Sequence, residues 1–268
     1  MSTKRKQVVI SEPIIARPGD VISSLSISPA PGYTGSGIKI VNSGYAHGGF
    51  ATVGDCSFSG LDTAIEIVGK VDSSRIHRCD FDNVTNGIIT AAGAVWRESW
   101  VTYCHWYTCT NGIIIDGSTT VGDNHNQITI ISPHMSWVDR PLTIVNQRPD
   151  RPMRRIRVLG GMLHGPQLDG TAPLILIEGY VRDLRIMDSD INNGATGYPG
   201  IDIIGGNTGV PDPIGITIDV GSANMRGDGI RVLRGRQVTL TGNLNGIAGV
   251  PVTVDPSAQV HNNVSVWP

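Results

Sequence analysis

The sequence predicts an all-β chain wound into a parallel β-helix of about nine coils. Three observations predict it. The composition favours β-branched residues and turn formers, a repeat of about 27 residues runs through most of the length, and like residues recur at fixed offsets within that repeat.

The 268 residues include 34 glycines and 16 prolines; 40% are hydrophobic, 16% charged and 5% aromatic. The apolar residues are mostly Ile and Val, which suit strands. Gly, Pro, Asn and Asp between short apolar runs read as many short strands and many turns. The apolar content excludes a disordered chain, and the scarcity of Glu, Lys, Leu and Ala excludes a long coiled coil. A formal net charge of -2 leaves no global basic field, so no nucleic-acid partner is expected. No run reaches the roughly 18 apolar residues of a spanning helix, so no membrane partner is expected. Lys4, Arg5 and Lys6 are followed by Ser11, Glu12, Pro13, Arg17 and Pro18 rather than by an apolar stretch, so no export leader is expected. Cys56, Cys79, Cys104 and Cys109 lack metal-ligand spacing, and no phosphate-loop, nucleophile-elbow or zinc motif occurs. Neither metal nor cofactor is expected.

Taken in order, residues 1–36 read as an N-terminal tail and cap, with apolar and polar residues alternating over 21–28. Residues 37–255 read as the β-helix. Its coils start at Ile38, Ile65, Ile88, Ile113, Leu142, Leu174, Ile201, Ile230 and Val252, each after a small or turn residue. Residues 256–268 read as a closing segment. Seven residues before four of these anchors stand Phe58, Phe81, Trp106 and Met135; nine before stand Cys56, Cys79, Cys104 and Pro133. Positions two apart share a strand face, so both columns should point inward and the cysteines should stack as buried reduced thiols.

The same register assigns an outer surface. One residue after each anchor come Lys39, Glu66, Ile89, Ile114, Thr143, Ile175, Asp202, Arg231 and Thr253; Val145, Ile177 and Ile204 fall two further on. A patch of Ile89, Ile114, Val145, Ile175, Ile177 and Ile204 on that side reads as a self-association surface; the alternative is a register slip that makes some of them core.

The stretch Arg75-Ile76-His77-Arg78-Cys79-Asp80-Phe81-Asp82-Asn83, followed by Gly87-Ile88, resembles the repeat of right-handed, single-stranded parallel β-helix proteins. So does Leu184-Arg185-Ile186-Met187-Asp188-Ser189-Asp190-Ile191-Asn192-Asn193, followed by Gly200-Ile201. That superfamily includes pectate lyases, polygalacturonases and bacteriophage tailspikes, and the resemblance covers about residues 37–255. The resemblance, with the apolar outer face and the missing leader, implies the tailspike branch. A homotrimer is then expected, made in the host cytoplasm and carried on the virion as a tail or surface appendage. It would bind host surface polysaccharide for attachment, with depolymerisation as the enzymatic extension, and dock on other virion proteins through the N-terminal tail. Two alternatives stand beside it: a non-catalytic structural virion appendage, and a polysaccharide lyase or hydrolase outside any virion.

Candidate site residues come from a second outward column. Eight before the anchors stand Ser57, Asp80, His105 and His134; six before stand Ser59, Asp82, Tyr107 and Ser136. Asp190 should continue this column further along the rod. Asp80, Asp82 and Asp190 are the candidate catalytic carboxylates, because glycoside hydrolysis needs two carboxyl groups flanking the bond. His105, Tyr107 and His134 are candidate sugar contacts. Arg148 and Arg151, in an arginine-rich loop that continues to Arg154, Arg155 and Arg157, are candidates for clamping acidic groups. A solvated polar face and a solvated loop are the competing readings. Trp96, Trp100 and Trp137 are candidates for sugar stacking or for burial.

Overall fold

The computed structural model describes residues 4–43, 50–166 and 170–267. Among them there are strands and no helix, and every strand pairing is parallel. The chain is a right-handed parallel β-helix.

Each coil presents three faces. The first is a ladder that runs Ile14, Ile38, Ile65, Ile88, Ile113, Leu142, Ile175, Ile201, Ile230 and Val252 in direct register. The second carries Ile76, Val101, Ile130, Val158, Ile186, Ile218 and Leu240 inward. The third is built from short strands: Ser57–Ser59, Asp80–Asp82, His105–Tyr107, His134–Ser136 and Met162–His164. From Arg185–Asn192 onward the second and third faces merge into one continuous strand per coil. Pairing extends beyond the boundaries drawn at 37 and 255. Lys6–Ile10 pairs with Leu25–Pro29, Ile14–Ala16 with the strand starting at Ser36, and Val260–Trp267 with Val238–Asn245. The cap and the closing segment are therefore themselves coil.

The interior follows from alternation. Cys56, Phe58, Cys79, Phe81, Cys104 and Trp106 are all fully buried. Phe58, Phe81 and Trp106 stack with ring centroids 5.3 and 4.8 Å apart and planes nearly parallel. Their fixed spacing in sequence becomes one strand spacing in space, about 4.8 Å. All four cysteines are free thiols. A hydrogen bond with the Cys79 thiol, then burial, holds the Cys56 thiol far above the ordinary range; burial pushes Cys109 up to about 11. They pack as small hydrophobes rather than serving as nucleophiles.

Corners are turned by residues in the left-handed region, and most are not glycine. Asp55, Arg78, Tyr103, Ser132 and Asp188 form one column at φ 48–54°; Ser73, Glu98, Gln127, Arg155 and Asp183 form another at φ 46–62°. Each conformation is costly for a residue with a Cβ. Repetition satisfies it: the amide of each corner residue bonds a carbonyl of the next coil, as from Arg78 to Thr102 and from Tyr103 to Ile131. Gly87 and Gly112, the small residues just before the coil starts Ile88 and Ile113, are not among these corners. A Cβ at Gly87 would strike the Trp106 indole and the Gly112 carbonyl, and one at Gly112 would sit 2.5 Å from the Pro141 carbonyl. They are glycine because neighbouring coils approach there.

One expectation is corrected. Leu142 pairs with Ile175, not Leu174. Ile175 and Ile177 are therefore fully buried, and Leu176 and Glu178 face outward. A run of four aliphatic residues, 174–177, reads alike in either register, and a one-residue slip exchanges the faces. The outward apolar residues, each half-buried, then stand in two adjacent columns: Ile89, Ile114 and Leu176 in one, with Glu66, Thr143 and the Asp202–Arg231 ion pair, and Val145 and Ile204 in the other, alternating with Asp116 and Glu178.

Candidate functional site

The third face carries the chemistry-bearing side chains. Phe81, Trp106, Met135 and Leu163 are anchored in the core, so the residues flanking each of them must point out. Strand pairing aligns Asp80, His105, His134, Met162 and Asp190 in one outward column. Asp82, Tyr107 and Ser136 form the second, with His164 beside Asn192 further along.

Within this patch Asp80 is held on both sides. Its Oδ2 lies 2.5 Å from the Arg5 guanidinium, and its Oδ1 3.2 Å from His105 Nδ1. The His105 ring is 5.3 Å from that of His134, and Tyr107 is 6.1 Å from His134. Asn192 Nδ2 lies 2.9 Å from His164 Nε2. Burial, then the neighbouring His105, pushes the His134 imidazole below its ordinary pKa. Burial also lowers His164, against the opposing pull of Asp190. Both rings are therefore neutral near pH 7.

The structure brings His105, Tyr107, His134, Asp80 and Asp82 together. It does not bring Asp190 to Asp80: four coil steps separate them, about 19 Å, whereas paired carboxylates in glycoside hydrolysis stand roughly 5–10 Å apart. Asp190 instead accepts a hydrogen bond from Ser222 Oγ at 2.8 Å. Asp82 is exposed on the same strand as Asp80.

Arg148 and Arg151 lie elsewhere, on loops leaving the first face. Arg148 bonds Asp150 at 2.5 Å and donates to the Thr120 carbonyl at 2.6 Å, stitching two loops together. Arg151 borders a cleft of about 130 Å³ with Arg97, Asp123 and Arg154. Arg5 and Lys6, read as part of a docking tail, are engaged: Arg5 against Asp80 and the Asp55 carbonyl, Lys6 at the start of the first strand. Trp96 is fully buried and donates to Ser74 Oγ, Trp100 is half-buried and Trp137 is exposed.

The sequence reading does not place His164 on this face. The connection after it is longer than in earlier coils, so counting back from the next anchor lands past it. The loop expected at 165–172 lies partly outside the described residues. The alternation Met162-Leu163-His164, echoing His134-Met135-Ser136, is the signal that would have found it.

The fold and this patch define the class: a right-handed parallel β-helix with a polar, histidine-bearing face. No family model matches the chain, and no curated protein matches it in sequence. Similar solved structures include ORF18 of Geobacillus virus E2, 11% identical with a TM-score of 0.49 over 98% of this chain and 54% of that one. The alginate lyase from Paenibacillus sp. str. FPU-7 is 14% identical, TM-score 0.43, over 96% and 92%. PfbA, a surface adhesin of Streptococcus pneumoniae, is 10% identical, TM-score 0.47, over 98% and 84%. The likeness is one of coil architecture, and no residue role is carried over from it.

Proposed function

We propose that the protein is a tailspike-like rod that binds host surface polysaccharide and associates as a homotrimer on a virion. The observation that carries the binding reading is the third-face patch. Two carboxylates, two imidazoles and a phenol are fixed on a rigid sheet at intervals of one strand spacing, a layout suited to successive sugar hydroxyls. The association reading is supported by the half-buried outward residues Ile89, Ile114, Val145, Leu176 and Ile204 on another face.

A second reading is favoured by the neutral imidazoles. Asp80 is engaged by Arg5 and His105, so it is not free to act as the acid or base of a two-carboxylate hydrolysis with Asp82, its neighbour on the same strand. His134 beside Tyr107 instead suits elimination. A neutral imidazole removes the proton next to a uronate carboxylate, the phenol protonates the departing glycosidic oxygen, and a double bond forms in the sugar.

Both readings are tested with purified bacterial surface polysaccharides on an array, followed by incubation with any that bind. Retention without new chain ends supports binding alone; ultraviolet-absorbing unsaturated ends support elimination. Reducing ends without unsaturation would return the case to hydrolysis. Failure to retain any surface polysaccharide would overturn the binding reading. Light scattering tests association, and a monomer of 28.5 kDa would overturn the trimer.

A further inference from the structure

The second face holds a different feature. Its outward column runs Arg75, Trp100, Thr129, Arg157 and Arg185 over successive coils. Beside it runs the left-handed corner column of Glu98, Gln127 and Arg155. Between the two columns lies a groove of about 490 Å³, lined by Glu98, Trp100, Gln127, Thr129, Arg155 and Arg157.

Three properties set this groove apart. First, its aromatic wall is fixed. Phe50 packs edge-on against Trp100 with centroids 5.8 Å apart, and the Arg75 guanidinium lies 4.0 Å from the Phe50 ring and 5.7 Å from the Trp100 ring. Second, its cations are uncommitted. Arg5, Arg78, Arg97, Arg148, Arg231 and Arg234 all make ion pairs. Among the described residues, Arg155, Arg157 and Arg185 make none, as is true of Arg140, Arg151 and Arg154 elsewhere; here they stay unpaired even though Glu98 and Asp183 stand in the corner column that holds Arg155 and adjoins Arg157 and Arg185. Third, the groove floor is a sheet, which does not shift when a ligand arrives.

A half-buried indole offers a flat apolar surface to the C–H face of a pyranose. Guanidinium forks two coils further on, about 10 Å along the rod, match a carboxylate through paired N–H donors. Glu98 and Gln127 add polar groups for sugar hydroxyls. We infer that this groove binds an acidic saccharide, with a pyranose on Trp100 and its own or its neighbour's carboxylate on Arg155 and Arg157. The inference rests on the reading that the rod binds glycans, but it concerns a separate face from the histidine patch.

The test uses an oligogalacturonate and a neutral gluco-oligosaccharide of equal length, followed by calorimetry and tryptophan fluorescence. The acidic chain is expected to bind, to quench fluorescence, and to bind more weakly as salt rises, since the arginines are exposed. Arg155→Gln with Arg157→Gln should weaken it about tenfold or more, since each change removes charge-assisted hydrogen bonds. Trp100→Ala should abolish the quenching. In the His134→Ala, Tyr107→Phe variant the tryptophan quenching should persist, because it reports the groove and not the histidine patch. No binding of the acidic chain, equal binding of the neutral one, or full affinity in the arginine double variant would overturn the groove. Inorganic sulfate competing as tightly as the oligosaccharide would overturn its saccharide part. Acidic binding lost only in the histidine-patch variant would overturn the groove while leaving the glycan reading intact.

Discussion

Acidification should destabilise this protein through one buried imidazole. His125 is fully buried; its Nδ1 accepts the Trp96 backbone N–H at 3.0 Å, and its Nε2 donates to the Asp116 carbonyl at 2.9 Å. Protonating Nδ1 would set one donor against another at a fully buried position. Burial accordingly lowers its pKa from 6.5 to about 4. The unfolded chain binds this proton at the higher pH, so stability is fully present above pH 6.5 and is lost as pH falls towards 4. A gap of that size is worth about 3 kcal/mol in all, of which about 2.5 kcal/mol is lost by about pH 4.5. His134 and His164 shift in the same direction, so the measurement must be differential. Urea midpoints of the native protein and of His125→Gln, equilibrated from about pH 7.5 down to about pH 4.5, isolate the contribution. The variant should be less stable at neutral pH by about 1–3 kcal/mol, because buried partners lose a hydrogen bond. The difference should shrink by about 2.5 kcal/mol at the acid end. A difference that stays constant with pH, or an imidazole NMR titration of His125 near its ordinary value in the folded protein, would refute the reasoning.

Four other outcomes are expected. Phe81→Ala opens a gap between Phe58 and Trp106 and should cost about 3–5 kcal/mol by urea unfolding; a cost below about 1 kcal/mol would mean that the aromatic stack is not what holds these coils. Gly87→Ala should cost about 3 kcal/mol or prevent folding, since the methyl meets Trp106 and the next coil's backbone. Gly122→Ala, at φ +81° with open space around it, should cost only about 1 kcal/mol of backbone strain. Leu176→Asp, among the half-buried outward apolar residues, should convert a trimer to monomers in light scattering without lowering the thermal midpoint of the monomer. A trimer that persists would remove this face from the interface.

Much of the fold is legible in the chain because a solenoid turns sequence spacing directly into spatial contact. Cys56, Cys79 and Cys104, or Phe58, Phe81 and Trp106, meet because the intervals between them are one coil long. Asp80, His105 and His134 align for the same reason, since alternation forces every second residue outward once Phe81, Trp106 and Met135 are inside. Where coil length varies the method fails. The longer connection after His164 hid that residue, and the aliphatic run at 174–177 offered two equivalent registers. The groove on the second face was hidden differently. Trp100 lies two coils away from Arg155 and Arg157, and Arg157 is aligned with Trp100 only through Thr129.

The sequence by itself determined the architecture, the buried columns and one outward polar column, because period-two alternation and coil spacing are local properties repeated many times. Only the tertiary structure decided which carboxylates could meet, and it separated Asp80 from Asp190 by four coil steps. It also decided which arginines stay free, since Arg148 finds Asp150 and Thr120 while Arg155 and Arg157 do not find Glu98. Charge pairing depends on distances of a few ångströms between loops, and these are set by how coils of unequal length fit together.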